Sequence, residues 1–198
     1  MGLATTVLRA ATGATMAGHG LQKLTRSFGG GGLEEAGRSF EQLGFRPGKP
    51  YAMATGATEA VGGLLMVAGL CTPLACAMVS GVMASAISKV HYKNGFWAAN
   101  KGFEPNVMLM ASAFAIAGSG GGALSLDGLL GKRRQGFTWA LAQLVVGVGT
   151  AAAVLKFSSR QAQPADGALS ADGPRNDISA EAGTSEQGKV AERPGAGA

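Results

Sequence analysis

Charged residues and cysteines are scarce in this chain of 198 residues. Asp, Glu, Lys and Arg make up 15% of it, against about 25% in a typical soluble domain. The spacing of its two cysteines, Cys71 and Cys76, is neither a CxxC redox motif nor a usual zinc pattern, so we expect structural thiols and no metal site. A dinucleotide fingerprint, a P-loop and a nucleophile elbow are also missing from the sequence. No Lys/Arg-rich run is interleaved with aromatic residues, and we expect no nucleic-acid binding.

Long apolar stretches dominate the chain instead. Hydrophobic residues make up 46% of it and 33 residues are glycine, and a membrane helix needs about 20 mostly apolar residues. Five stretches qualify: residues 3–24, 51–70, 73–92, from 104 to the glycine cluster at 118–122, and 137–157. Aromatic residues cluster at or near the ends of these stretches, as expected at a membrane–water interface. The sequence therefore predicts an all-α membrane protein, a four-helix transmembrane bundle with a fifth C-terminal transmembrane helix.

The segments outside these stretches have their own patterns. Residues 33–43, in the first loop, place apolar side chains on one helical face and predict a short amphipathic helix, which either lies on the bilayer surface or caps the bundle. Residues 158–198 are rich in Ala, Gly, Pro, Ser, Asp and Glu and predict a disordered polar tail after a helical domain at 1–157. We expect the first stretch to be a membrane span and not a cleaved signal peptide, because no short apolar region with a small-residue cleavage site is distinct.

Ionisable residues inside the apolar stretches are candidates for function, because such groups are costly in hydrocarbon. Spans alternate in direction, so the half of the bundle that meets the first and third loops, here called the loop face, collects His19, Lys23, Glu59, His91, Phe96, Trp97 and Glu104. We predict that His19 or Lys23 pairs with Glu59 beneath a polar mouth closed by two aromatic residues, Phe96 and Trp97. Such a site could relay protons or hold a small polar ligand. The alternative is that the pair only ties two helices together.

A second group of polar residues belongs to the opposite face of the bundle. It contains Arg9, Ser125 and Asp127. An ion pair between Arg9 and Asp127 is one expectation, and a contact of Arg9 with lipid headgroups is the other.

Several short segments together resemble the DoxX family of small integral membrane proteins. They are Gly18-His19-Gly20-Leu21-Gln22-Lys23-Leu24, Phe28-Gly29-Gly30, the stretch 40–48, Glu59 followed by Gly62-Gly63-Leu64-Leu65, Gly69-Leu70-Cys71-Thr72-Pro73-Leu74-Ala75, Gly95-Phe96-Trp97, Glu104 and Ser125-Leu126-Asp127. The resemblance covers residues 9–127 and implies a core of four membrane helices, so the fifth span is an addition. The family takes its name from a membrane subunit of a thiosulfate:quinone oxidoreductase, and other members are associated with thiol redox homeostasis. The resemblance therefore implies a redox-linked membrane component.

Three functions are compatible with these features. The first is a non-catalytic subunit of a thiol/sulfur or quinone-linked redox assembly in the cell membrane, with a soluble redox protein at the loop face. No cofactor motif is evident in the sequence, and a quinone or a small sulfur species is the ligand that this function would involve. The second is a small proton-linked transporter, and the third is a quinone-reducing oxidoreductase that uses His19 and Glu59 as proton donors. Glycine-rich spans suit packing within one chain or in a homo-oligomer equally well.

Overall fold

The computed structural model describes residues 2–122, 124–132 and 134–162, and all regular structure in these residues is helical. The α-helices are α1 (Leu3–Leu24), α2 (Gly32–Gln42), α3 (Gly48–Ala68), α4 (Thr72–Ala86), α5 (Glu104–Ser119), α6 (Leu126–Leu129) and α7 (Phe137–Ala162). The predicted all-α class is thereby confirmed. Each of the five long apolar stretches forms a helix, and α1 has the predicted bounds.

Among the described residues, two helices are long and apolar enough to cross a membrane. They are Thr72–Asn94, which is α4 with its π-helical and 3-10 continuation, and Phe137–Gln161 within α7. The 16 residues of α5 span about 24 Å at 1.5 Å per residue, less than the roughly 30 Å of a bilayer core. Helices α1 and α3 have the length, at 22 and 21 residues, but contain charged residues. The four-plus-one transmembrane arrangement therefore stays a prediction.

Helix pairs define the bundle. Helix α1 runs antiparallel to α3, because Gly13 lies against Gly63 while Gly20 lies against Gly56. Helix α3 also contacts α4, α4 contacts α7, and α5 lies against both α4 and α7. The buried core shared by these helices contains Met16, Met66, Ala75, Cys76, Val79, Met83, Ala113, Ile116 and Ala117.

The amphipathic helix α2 covers one end of the bundle. It lies against α3 and α1 and buries Gly37, which meets the backbone of Lys49. After it, the buried Phe45 ring lies 5.4 Å from Phe40 and 5.0 Å from Tyr51, centroid to centroid. The packing of α2 against α1 and α3 agrees with the predicted cap, and a position on the bilayer surface stays a prediction.

Helix α7 corrects the predicted start of the tail. It continues to Ala162, five residues beyond the boundary expected at 157. The extra turn is stabilised by side chains: the buried Ser158 donates a hydrogen bond to the Leu155 carbonyl at 2.9 Å. The Tyr51 hydroxyl donates another to Gln161 Oε1 at 2.8 Å, which ties this turn to α3. The rest of the predicted tail, 163–198, lies outside the described residues.

Candidate functional site

A salt bridge joins α1 to α3. Lys23 Nζ lies 2.7 Å from Glu59 Oε2 and also 3.5 Å from the carbonyl oxygen of His19. Glu59 is 4% exposed, and the Lys23 side chain is partly exposed. Burying a lone carboxylate is costly, so the ammonium group offsets much of the penalty of placing Glu59 between helices. Of the two predicted partners of Glu59, the structure selects Lys23.

Glycines bring the two helices close enough for this contact. A Cβ added at Gly20 would lie 2.3 Å from the Ala60 nitrogen, and one at Gly63 would lie 2.4 Å from the Ala17 nitrogen. At Gly56, an added Cβ would lie 3.2 Å from Lys23 Cβ. Small residues of this kind allow helix backbones to approach directly. The backbone contact thus positions Lys23 over Glu59.

The His19 side chain takes no part in this salt bridge. The buried face of α1 includes Arg9, Thr12 and Met16 and then continues through Gly20, whereas His19 is exposed. This differs from the predicted alternative in which His19 pairs with Glu59. The reason is that Gly20 takes the position nearest α3, and its neighbour along the helix is rotated by about 100° from that position.

His19 lies instead in an open groove of about 600 Å³ on the outer side of α1 and α3, here called the α1–α3 groove. Its lining consists of Ala14, Thr15, Ala17, Gly18, His19, Leu21, Gln22, Phe28, Leu64 and Val67. His19 Nδ1 lies 3.1 Å from Gln22 Oε1, and Gln22 Nε2 donates to the Phe28 carbonyl at 2.9 Å. The groove is thus apolar along most of its length and polar where His19 and Gln22 lie.

Two members of this groove were missed as site residues by the sequence analysis. Gln22 follows His19 by three positions, a spacing that places both on one helical face and that could have identified it. Phe28 is 71% exposed and has a φ of +53°, which is uncommon for a residue other than glycine. No local sequence pattern predicts this positive φ. It depends on a hydrogen bond to the Phe28 carbonyl from the side chain of Gln22, which belongs to the preceding helix.

The other predicted loop-face residues form a separate cluster in the segment 91–104, here called the third loop. Glu104 Oε2 accepts a hydrogen bond from the Ala98 amide at 2.9 Å, and His91 Nδ1 lies 2.8 Å from the Lys101 carbonyl. The Phe96 ring lies 5.1 Å from Trp97, centroid to centroid. These contacts order the third loop internally, so closure of a mouth over Glu59 by the two aromatic residues stays a prediction.

Arg9, on the opposite face, forms neither of its predicted contacts. It is 1% exposed, which removes it from lipid headgroups. Its guanidinium donates to the carbonyls of Met66 and Val67 at 2.5 Å and of Leu124 at 2.6 Å. Met66 and Val67 belong to the last turn of α3, where carbonyls lack helical partners and the helix dipole favours a cation. Arg9 therefore caps the C-terminus of α3.

Asp127 performs the matching role at the N-terminus of α4. Its carboxylate accepts hydrogen bonds from the Cys71 amide at 2.9 Å and from the Thr72 amide and hydroxyl, each at 2.8 Å. Its own amide donates to the Gly69 carbonyl at 2.9 Å. Burial raises the pKa of Asp127, but the hydrogen bonds from Thr72 and Cys71, together with the charge of Arg134, outweigh it and lower the pKa below its ordinary value. A carboxylate that is distant in the sequence thus caps α4, and Thr72 is one of its donors.

Ser125 completes this group beside the turn between α3 and α4. Its hydroxyl donates to the Gly122 carbonyl at 2.9 Å and accepts from the Gly128 amide at 3.1 Å, capping α6. A Cβ added at Gly69 would lie 2.5 Å from Ser125 Cβ and 2.7 Å from an Arg9 nitrogen. The opposite-face residues are therefore brought together, and their contacts secure the turn between α3 and α4.

We expect Asp127→Asn to lower the free energy of unfolding by about 2 kcal/mol, because an amide offers one oxygen to three donors. The effect should depend on pH. The folded-state pKa of Asp127 is lowered, so its contribution is present above the unfolded value of about 3.9 and is lost as pH falls through the folded value. The thermal midpoint in detergent should therefore fall between pH 6 and pH 3 more steeply in the wild type than in the variant. Equal slopes in the two proteins would contradict this assignment.

Metal-binding geometry does not occur in the described part of the chain: no group of three or more His, Cys, Asp or Glu side chains there could hold a metal ion. Both cysteines are free, with Cys76 buried in the core and Cys71 at the turn before α4.

Comparison with known proteins gives one family match. A model of the DoxX family matches residues 4–92, which include the Lys23–Glu59 salt bridge, the α1–α3 groove and the turn between α3 and α4. Three of the resembling segments, Gly95-Phe96-Trp97, Glu104 and Ser125-Leu126-Asp127, lie beyond the match. No curated protein and no solved structure matches the chain. The match over residues 4–92 supports membership of the DoxX family, and together with the two apolar helices it indicates a membrane protein.

Proposed function

We propose that this protein is a multi-pass component of the cell membrane that serves as a non-catalytic subunit of a redox assembly and holds a quinone-class ligand in the α1–α3 groove. The observation that carries the proposal is the amphiphilic character of this groove. Leu64 and Val67 provide an apolar wall, and His19 with Gln22 provides a polar end. An amphiphile with a polar ring and an apolar tail fits such a surface.

The residues at the polar end suit a ring that carries a hydroxyl group, as a reduced quinone does. Gln22 Oε1 can only accept a hydrogen bond, so Nδ1 of His19 donates to it, and Nε2 of the neutral imidazole is left to accept a hydrogen bond from the ligand hydroxyl. Phe28 lies at the same end and offers an aromatic surface for a ring. A bound quinone would supply electron and proton acceptance, while the residues of this chain bind and orient it. The Lys23–Glu59 salt bridge fixes the α1–α3 contact that forms the groove wall.

A soluble partner supplies the electrons in this proposal, because the sequence has no dinucleotide-binding motif. The third loop offers the surface for it. Tyr92 and Trp97 are exposed there, Trp97 by 64%, and exposed aromatic residues are enriched at protein interfaces. The same loop contains Lys93 and Lys101, both exposed, which favours a partner with an acidic surface.

The test is purification of the full-length protein from its native membrane in mild detergent, with mass spectrometry of the co-purifying quinones and proteins. We expect quinone to be retained by the wild type and reduced about fivefold in His19→Phe, which loses one hydrogen bond. The matched control is His91→Phe, which changes the other histidine of the chain and should retain quinone like the wild type.

Equal retention by all three proteins would contradict a role for His19. If the wild type purifies alone and without quinone, the redox proposal fails and the proton-linked transporter becomes the better hypothesis. The observation that favours transport is the buried Glu59 between two helices, since an ionisable group at such a position is a candidate proton site.

A further inference from the structure

A polar cavity of about 350 Å³ lies at the other end of the bundle, where α5 ends and α7 begins. Its lining residues lie between positions 119 and 135, and none of them lines the α1–α3 groove. Its lining consists of Ser119, Gly120, Gly121, Gly122, Ser125, Asp127, Gly128, Leu129, Lys132, Arg134 and Gln135. Two cationic side chains thus face a single carboxylate.

The carboxylate in the wall is already engaged. Both oxygens of Asp127 accept hydrogen bonds, one from the amide of Cys71, which precedes α4, and one from the amide of Thr72, its first residue. Lys132 and Arg134, by contrast, are exposed at the cavity, and no side-chain hydrogen bond of either occurs in the described segments. Arg134 lies over the Trp139 ring, 5.6 Å from its centroid. The charged groups that remain available to a ligand in this cavity, Lys132 and Arg134, are therefore both positive.

The glycine wall adds backbone donors. Across the described ranges, the amides of Gly120, Gly121 and Gly122 donate to no protein acceptor. Glycines without a Cβ let a ligand oxygen come close to the main chain. Unpaired amides beside basic side chains are the groups that recognise phosphate and similar oxyanions.

The position of the cavity suits a membrane phosphate. It adjoins the start of α7, whose candidate membrane span begins at Phe137, and Trp139 lies in the first turn of that helix. Tryptophan at the end of a span marks the membrane–water interface. Lipid phosphates lie at this level, where basic residues are attracted to anionic headgroups.

We propose that this cavity binds a phosphate-type oxyanion through Lys132, Arg134 and the amides of Gly120–Gly122. The anion is the headgroup of an anionic lipid or a free phosphate, and the two sources share the same chemistry. The site is independent of the proposed quinone ligand, so one can fail while the other holds.

The experiment uses the full-length protein in nanodiscs and the double variant Lys132→Gln/Arg134→Gln. In one arm the nanodiscs contain phosphatidylglycerol, and native mass spectrometry counts the lipid that remains bound. In the other arm they contain only phosphatidylcholine, inorganic phosphate is added, and Trp139 fluorescence is recorded in a Trp97→Phe background, which leaves one tryptophan. The matched control, Lys93→Gln/Lys101→Gln, removes the same charge from the third loop.

We expect binding about thirtyfold weaker in the double variant and about fivefold weaker in each single variant, with the control unchanged. Retained phosphatidylglycerol without a phosphate response identifies a headgroup site. A saturable phosphate response identifies a site for the free anion. If the double variant, with wild-type circular dichroism, behaves like the wild type in both arms, the proposal is overturned.

Discussion

Gly20→Ala should lower the thermal midpoint of the protein in detergent by about 10 °C, which corresponds to about 3 kcal/mol for a chain of this length. The added Cβ would lie 2.3 Å from the Ala60 nitrogen and 2.5 Å from the Gly56 carbonyl oxygen. Both are backbone atoms of α3, so no side-chain rotation can relieve the clash. The helices must separate, which also lengthens the contact between Lys23 and Glu59.

The matched control is Gly18→Ala on the same helix. An added Cβ at Gly18 meets nothing within 4 Å, and alanine favours a helix over glycine by up to about 1 kcal/mol. We therefore expect this variant to have the wild-type midpoint or a slightly higher one. If both variants lose stability equally, helix flexibility and not the α1–α3 contact explains the glycines.

The helices themselves were predictable, because each apolar stretch is long and bounded by clear signals. Pro105 follows Glu104 at the start of α5, and Pro73 lies in the first turn of α4. The end of α7 was less predictable. Residues after Phe157 are polar and small, and their helical state depends on the contact of Gln161 with Tyr51, which lies 110 positions earlier in the sequence.

Helical periodicity alone does not predict which residue of α1 pairs with Glu59. The pattern predicts a contact between α1 and Glu59 but does not choose between His19 and Lys23, which are four positions apart. The choice depends on the rotation of α1 about its axis, which the contact of Gly20 with Ala60 sets. A difference of one position along a helix turns a side chain by about 100°, enough to move His19 from the interior to the groove.

Long-range polar contacts were the least predictable feature. The sequence places Arg9 and Asp127 on the same face and suggests that they neutralise each other. In the structure each of them caps a helix instead. Arg9 caps the C-terminus of α3, and Asp127 caps the N-terminus of α4. Each charge matches the sign that the helix dipole favours at its position.

Arg9→Met should be the most destabilising charge removal in the chain, at about 4 kcal/mol. Methionine fills part of the buried volume but donates no hydrogen bond. The carbonyls of Val67 and Leu124 therefore lose the guanidinium donor, and the Met66 carbonyl keeps only the Gly69 amide. Val67 lies in the last turn of α3 and Leu124 belongs to the segment before α6, so one substitution weakens both the cap and the attachment of that segment. Thermal midpoints in detergent measure the loss.

Arg26→Met is the matched control, since Arg26 is exposed just after α1, and we expect a change within about 0.5 kcal/mol. Arg9→Lys should fall between the two, because a lysine ammonium keeps the charge but lacks the planar fork that reaches several carbonyls at once. Comparison of the three variants separates the contribution of the positive charge of Arg9 from that of its planar guanidinium. If Arg9→Lys equals the wild type, charge at the end of α3 is sufficient, whereas if it equals Arg9→Met, the fork geometry carries the cap. Stability of Arg9→Met equal to that of Arg26→Met would show that the buried guanidinium does not hold the turn between α3 and α4.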